Sequence, residues 1–291
     1  MAKAQSIRRR IKSVKNIHQI TKTMQMVAAS KLHRCQEAAL RSRMYSYTAR
    51  EALHRLRKIV SGDLHPLFAK REVVSELLIV FTSDRGLAGA YNGNIFRKLI
   101  SHIEENPTIK VKTIIIGQKG GQFVSKIKDS IELTGLYTNW PSEPTTVDLR
   151  PITSTAINLF SEGQIDRVGV LFTDYVSTIR QTATLHTILP IDPATLAPSK
   201  IQMNINEDTA FEPSPELVLQ FILPRLIEMQ IYQANLEAIA SEQAMRMMAM
   251  KNASDNASDI MDDLSLTYNT VRQAAITQEL SEITSGADAT A

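Results

Sequence analysis

Three textures of hydrophobic spacing divide the chain. In the first sixty residues Ile7, Ile11, Val14, Ile17, Ile20, Met24 and Val27 recur at steps of three and four. That is close to the 3.5-residue repeat of a coiled-coil seam, narrower than the stripe of a helix lying on a globular core. Neither proline nor glycine occurs in this stretch, so the pattern predicts one helix over 1–62, stopping at Ser61-Gly62-Asp63 before His65-Pro66.

From 74 to 205 the spacing changes. Leu77–Phe81, Val111–Ile116 and Val168–Phe172 read as buried strands, and Thr178–Leu189 as a further strand, antiparallel at an edge. Amphipathic stretches over Tyr91–Ile103 and Thr153–Ser161 alternate with them. The order predicts an α/β domain on a parallel or mixed sheet. Residues 190–215 are proline-rich and polar and read as a loop. Ser214-Pro215-Glu216 then opens a helix, with serine at the N-cap and proline at the first helical position.

That last helix, expected over 213–285, contains one proline beyond its Ser214-Pro215-Glu216 start, Pro224, predicted to kink it. Its expected seam is Leu236, Ile239, Gln243, Met247, Met250, Ala253, Ala257, Ile260, Leu264, Thr267, Val271 and Ala274. Some 70 residues at 1.5 Å each make a rod on the order of 100 Å, which no compact domain of this size encloses. It must pair. One long helix enters the α/β domain by its C-terminal end and the other leaves it by its N-terminal end, so the predicted pair is antiparallel.

Charge sharpens this picture. Residues 1–60 hold 15 Lys/Arg and two acids, whereas residues 213–291 hold four Lys/Arg and 11 acids, all within a chain of net charge +3. A basic head and an acidic tail side by side favour pairing, although each exposed ion pair is worth only a few tenths of a kcal/mol. A single cysteine, Cys35, excludes an intrachain disulfide and a multi-cysteine metal site, and reads as an inert mid-helix thiol. No apolar run reaches the roughly 20 residues of a membrane span, and no signal peptide opens the chain.

Candidate chemistry is sparse. Ser83-Asp84-Arg85-Gly86-Leu87-Ala88-Gly89-Ala90-Tyr91-Asn92-Gly93 follows a strand and opens a helix, where nucleotide phosphates bind in other α/β proteins. Its glycines fit neither the dinucleotide nor the P-loop spacing, which favours a tight structural turn. The six histidines are scattered, and Asp259, Asp262 and Asp263 lack a calcium-loop pattern. Two other classes of function remain open on these residues alone. One is a nucleotide-binding α/β enzyme with a coiled-coil arm, the other a basic coiled-coil nucleic-acid-binding protein. The second is weakened by the absence of any aromatic residue over 1–34.

Both termini carry longer motifs. Ile20-Thr21-Lys22-Thr23-Met24-Gln25-Met26-Val27-Ala28-Ala29-Ser30-Lys31-Leu32 closely resembles the N-terminal signature of the gamma subunits of F-type ATP synthases. Glu242 to Ala253, and Tyr268-Asn269 followed by Arg272 to Ile283, resemble that family's C-terminal pattern, and Ser83–Gly89 its first strand-turn. The resemblance spans the chain in order. It implies a rotating central stalk with no catalytic, cofactor or metal site: an antiparallel coiled coil inside a hexamer of alpha and beta subunits, with a Rossmann-like α/β foot. That foot would bind the epsilon subunit and the ring of c subunits. By matching motif, Lys22, Met24 and Met26 would face moving beta-subunit loops. Arg272, Gln273, Thr277 and Glu279 would be held by loops of the hexamer. No cysteine-bearing insertion of the chloroplast kind is present, so the resemblance implies a bacterial-type subunit at the cytoplasmic face of the cell membrane.

Overall fold

The computed structural model describes residues 2–59, 65–127, 131–192 and 214–290. The expected helix stop at Ser61-Gly62-Asp63 and most of the expected 190–215 loop lie outside them. In chain order the elements are α1 (Ala2–Ile59), a 3-10 turn (Pro66–Phe68), β1 (Ser75–Phe81), α2 (Tyr91–Glu105), β2 (Lys110–Ile116), α3 (Gln118–Val124), β3 (Glu132–Tyr137), α4 (Thr146–Ser161), β4 (Arg167–Tyr175), β5 (Gln181–Leu189) and α5 (Pro215–Thr290). The chain divides into two units: residues 1–29 with 246–291, and residues 30–245.

In the larger unit a five-stranded sheet runs β3-β2-β1-β4-β5. Its first four strands are parallel, and β5 returns antiparallel beside β4 at the edge. The central strands are apolar on both faces because helices cover both. On one face Leu77, Ile79, Phe81, Val168, Val170 and Phe172 pack with Leu149, Ile152 and Phe160 of α4 and with Leu223, Leu226 and Ile227 of α5. On the other, Leu78, Val80, Ile115 and Leu171 meet Ile95 and Leu99 of α2 and Val124 of α3. This is the α/β architecture expected, with a strand the spacing did not predict. β3 is an edge strand carrying Gly135 at mid-length, and its Leu133 and Leu136 are 44 and 46% exposed, so it lacks the apolar run of its neighbours.

Local chemistry explains two further differences. α4 begins seven residues before the expected Thr153, because the Asp148 carboxylate accepts from the N–H and hydroxyl of Thr145 at 2.7 and 2.8 Å and so starts the helix there. α5 opens as expected, the Ser214 hydroxyl accepting from Leu217 N–H at 3.3 Å, and stays continuous through Pro224. Leu223, Leu226 and Ile227 around that proline are buried in the core, and tertiary packing of that kind outweighs the one backbone bond lost.

The long helices pair antiparallel. Within the larger unit the Ser42 hydroxyl donates to Gln233 Oε1 at 2.6 Å, while Cys35, seven residues earlier on α1, lies in the field of Glu242, nine residues later on α5.

In the smaller unit, burial corrects the expected seam. The inward positions of α1 are Ala4, Ile7, Ile11, Val14, His18, Thr21, Gln25 and Ala28, a regular four-three repeat. The expected Ile17, Ile20 and Val27 lie outside it, 50, 59 and 51% exposed. On α5 the inward positions are Met250, Ser254, Ala257, Met261, Leu264, Tyr268, Val271 and Ala275. Half of the expected seam there is displaced by one residue: Ile260 is 49% exposed, and Thr267 and Ala274 are exposed too. The period is right, and the phase holds at Ile7, Ile11 and Val14 on α1 and at Met250, Ala257, Leu264 and Val271 on α5 but slips by one residue at the positions between or beyond them. Hydrophobicity pointed to isoleucines that the pair turns outward, and the seam runs instead through His18, Thr21 and Ser254.

Candidate functional site

Two regions carry the candidate chemistry: the turn after β1 and the outward rows of the helix pair.

The turn sits at the carboxyl ends of parallel strands, where open α/β sheets bind phosphates. Here the protein supplies its own anion. The Asp84 carboxylate accepts backbone N–H bonds from Gln118 at 2.9 Å, Asn139 at 3.1 Å and Trp140 at 2.7 Å. It thereby ties the first residue of α3 and the segment after β3 to the end of β1. Beside it, Thr82 Oγ1 donates to the Ile116 carbonyl at 2.8 Å and accepts from Gly120 N–H at 3.0 Å. Asn92 clasps Ser83, accepting from its N–H at 3.1 Å and donating to its hydroxyl at 2.7 Å. Gly117 at φ +104° leaves no room for a side chain, since a Cβ would stand 2.2 Å from the Thr82 carbonyl oxygen. A phosphate entering this turn would have to displace Asp84 from three donors.

Other ionisable groups serve the fold. Glu76, fully buried at the start of β1, meets His102 Nε2 through Oε1 at 2.6 Å and accepts on Oε2 from both Nε and Nη2 of Arg167 at 2.9 and 2.5 Å. This cluster joins β1, β4 and the last turn of α2, and the sequence reading did not anticipate it. Its one signal is an acid beginning an otherwise apolar run, Glu76-Leu77-Leu78-Ile79-Val80-Phe81. Asp166 Oδ2 accepts from the N–H groups of Ser75 and Val74 at 2.9 and 3.0 Å. The Ser75 backbone bond is the main cause holding the Asp166 pKa below its usual value, with burial opposing it. Burial, and then the charges of Glu143 and Glu242, push the Cys35 thiol up to about 11, so it is a poor nucleophile. No group of three or more His, Cys, Asp or Glu side chains suited to a metal ion occurs among the described residues.

The residues singled out by motif lie on the helix pair. Lys22 and Met26, one turn apart, are exposed on α1, and Met24 is half-buried. Arg272, Gln273, Thr277 and Glu279 are all exposed on α5, as are Arg8, Arg9, Arg10, Lys12 and Lys15 on α1. Sequence reasoning missed the apolar rows between them. Ile17, Ile20 and Val27 stand outward on α1, and Ile276, Leu280 and Ile283 share one exposed face of α5. From Ile276 to Thr284 every residue of α5 is exposed. An amphipathic face of that kind is ordinarily covered by a partner. No described helix is long and apolar enough to cross a membrane.

Comparison with known proteins follows the same lines. The family model described as ATP synthase matches residues 3–290. The ATP synthase gamma chain of Brevibacillus brevis is 43% identical over 297 aligned positions, covering 100% of both chains. That of Staphylococcus saprophyticus is 41% identical over 288, covering 98% of each. Among solved structures, a chain of the Euglena gracilis mitochondrial ATP synthase assembly of OSCP, F1 and c-ring aligns with a TM-score of 0.67 at 23% identity, covering 99% of this chain and 94% of that one. A chain from the central stalk and c-ring of the Tetrahymena thermophila enzyme aligns at 0.60 and 24% identity, covering 81% and 99%.

Proposed function

Because the chain belongs to the ATP synthase gamma-chain family, we propose that it is the central rotor stalk of that complex, coupling proton or Na⁺ flow through a membrane c-ring to ATP synthesis or hydrolysis at the beta subunits. The shaft has no active site of its own. Its parts divide as 1–62 and 213–285 for the coiled coil and 74–205 for the foot. The alpha and beta subunits surround the coil, and the foot carries the epsilon subunit and the c-ring. The chain is peripheral, held at the cytoplasmic face of a bacterial membrane through the complex.

One observation carries this reading: the helix pair turns apolar side chains outward in rows that differ from height to height. Two unequal helices present a different face to each of three beta subunits, so turning the shaft changes which contacts each subunit makes. Moving a two-state site from 1:99 to 99:1 takes roughly 5.5 kcal/mol of differential interaction. These outward side chains are about half exposed, so covering each contributes about half of the 1.5–3 kcal/mol of a full burial, and about four to seven such contacts made on one subunit and absent from the next reach that scale. Lys22, Met24 and Met26 lie beside the Ile17–Ile20–Val27 row and face the moving beta loops. Arg272, Gln273, Thr277 and Glu279 flank the Ile276–Leu280–Ile283 row and seat the end of the shaft in the hexamer.

The test is a removable tie. A disulfide engineered in the assembled complex between the Lys22–Met26 stretch and a facing beta loop should stop steady-state ATP hydrolysis, and reduction should restore it. A static scaffold would keep turning over with the tie in place. A second tie beyond Glu282, where the helix end can swivel, serves as the control.

A further inference from the structure

The hairpin joining β4 to β5 departs from ordinary turn composition. The last strand pair is Tyr175 with Gln181, and residues 176–180 cross between them. Exposed turns usually take Gly, Pro, Asn, Asp or Ser. Here Val176 is 54% exposed and Ile179 88%, the highest value among the described large hydrophobic residues. The turn itself asks for neither. Ser177 N–H donates to the Arg180 carbonyl at 3.0 Å, and the Ser177 hydroxyl accepts from Arg180 N–H at 3.1 Å. The Gln181 side-chain amide donates to the carbonyls of Ser177 and Thr178 at 2.9 and 2.8 Å. Ser177 and Gln181 therefore hold the loop, and the Ile179 side chain adds nothing to it. An apolar residue left in water on such a turn breaks a local rule with no gain to the fold, which is the mark of a site that serves something else.

The hairpin also has a fixed place beside the long helices. The Thr173 carbonyl, near the end of β4, accepts from the Ser241 hydroxyl of α5 at 2.9 Å. The Tyr175 hydroxyl accepts from Gln36 Nε2 of α1, also at 2.9 Å. Ser241 lies beyond Ala238, the last α5 residue in the core on that face of the sheet, so α5 and β4 run the same way. The tip thus leads past the carboxyl end of the sheet, toward α1 residues below 36 and α5 residues above 241. Both helices continue unbroken there. With alpha and beta subunits surrounding the coil, the next surface in the path of the tip belongs to their hexamer.

We propose that the 176–180 hairpin is a contact between the foot and the alpha–beta hexamer, with Ile179 and Val176 as an apolar knob seated on the face through which the coil enters. The inference rests on the rotor reading and extends the coil–hexamer interface onto the foot. A loop already held by four hydrogen bonds has little conformational freedom left to lose on docking. It stands to one side of the helix pair, so it meets one part of the ring at a time and is remade on the next as the shaft turns.

The experiment compares thiol labelling of Ile179→Cys in the free full-length chain and in its purified complex with alpha and beta subunits. The position lies in solvent, so the substitution leaves folding intact. Natural Cys35 stays in place, since it is buried and labels slowly. Mass spectrometry of the peptide holding position 179 keeps cysteines of the other subunits out of the readout. Labelling at 179 should slow about tenfold in the complex, the factor for a contact formed roughly nine-tenths of the time. Glu162→Cys, exposed between α4 and β4 at the amino end of the sheet, should label equally in both. Equal rates at 179 overturn the proposal and leave the rotor reading standing. Equal slowing at 162 and 179 also overturns it, as general shielding. Protection that appears only when the epsilon subunit is added assigns the knob to that subunit and overturns the hexamer contact. A chain that fails to assemble with alpha and beta defeats the rotor reading, and this inference with it.

Discussion

Asp84 gathers three backbone donors from two segments onto one side chain, and its removal tests whether that clasp organises the end of the sheet. A hydrogen bond to a charged group is worth about 1.5–3 kcal/mol, and partial exposure of two of these donors lets water take over part of that. Asp84→Ala should therefore lower stability by about 2–4 kcal/mol, and Asp84→Asn, which keeps one acceptor oxygen, by less. Denaturant unfolding of the purified chain measures both. Asp166 gives a pH-dependent counterpart. Its pKa is depressed in the folded chain, so its stabilising contribution is fully present above the unfolded carboxylate value of 3.8 and is lost as pH falls through the lower folded value. The stability gap between the wild-type chain and Asp166→Asn should accordingly be constant at neutral pH and close as pH drops below 3.8. A gap that closes instead above pH 5 would contradict the assignment.

Among the elements, the long helices show what hydrophobic spacing can and cannot tell. The 3.5-residue period was legible because Ile7, Ile11, Val14, Met250, Ala257, Leu264 and Val271 do lie inward. The phase was not legible where a helix serves two surfaces. An isoleucine turned toward a partner and one turned toward the sister helix are the same letter, and the inward row that continues from Val14 through His18, Thr21 and Gln25 distinguishes them. The consequence is measurable. Met250, buried in the seam, should cost about 2–5 kcal/mol when changed to Ala. Ile260→Ala, at a half-exposed position, should change the stability of the isolated chain by no more than about 0.5 kcal/mol. Equal losses at the two sites would restore the seam expected from sequence. In the sheet, β1, β2 and β4 were legible as apolar runs and β5 as an alternation. β3 was not, because an edge strand with a central glycine and half-exposed leucines carries neither an apolar run nor an alternation. The Thr145–Asp148 cap was hidden for another reason: Pro151 three residues later reads as a break, yet it is accommodated inside α4.

At the scale of the whole chain, candidate partner residues were legible as motifs, and their exposure on the two helices is compatible with that reading. The buried Glu76–His102–Arg167 cluster was not, since nothing in local spacing brings residues 76, 102 and 167 together. The functional expectation is a molecule that works by contact alone. Purified by itself, the chain should hydrolyse no ATP above background in a phosphate-release assay. Turnover that disappeared on changing Asp84 or Arg85 would instead revive the enzyme reading.

A last consequence belongs to the turn after β1. A carboxylate tethered in the chain competes for the amides of Gln118, Asn139 and Trp140 at an effective concentration that never varies, in the millimolar range or above for a short tether. A free phosphate must outbid it at whatever level the cell happens to hold. Ligands that bind only the folded state raise its stability with their concentration, and a shaft that responded in this way would stiffen when nucleotide is plentiful and soften when it is scarce. The self-liganded turn removes that dependence, so the rigidity of the foot stays the same in a starved cell and a replete one.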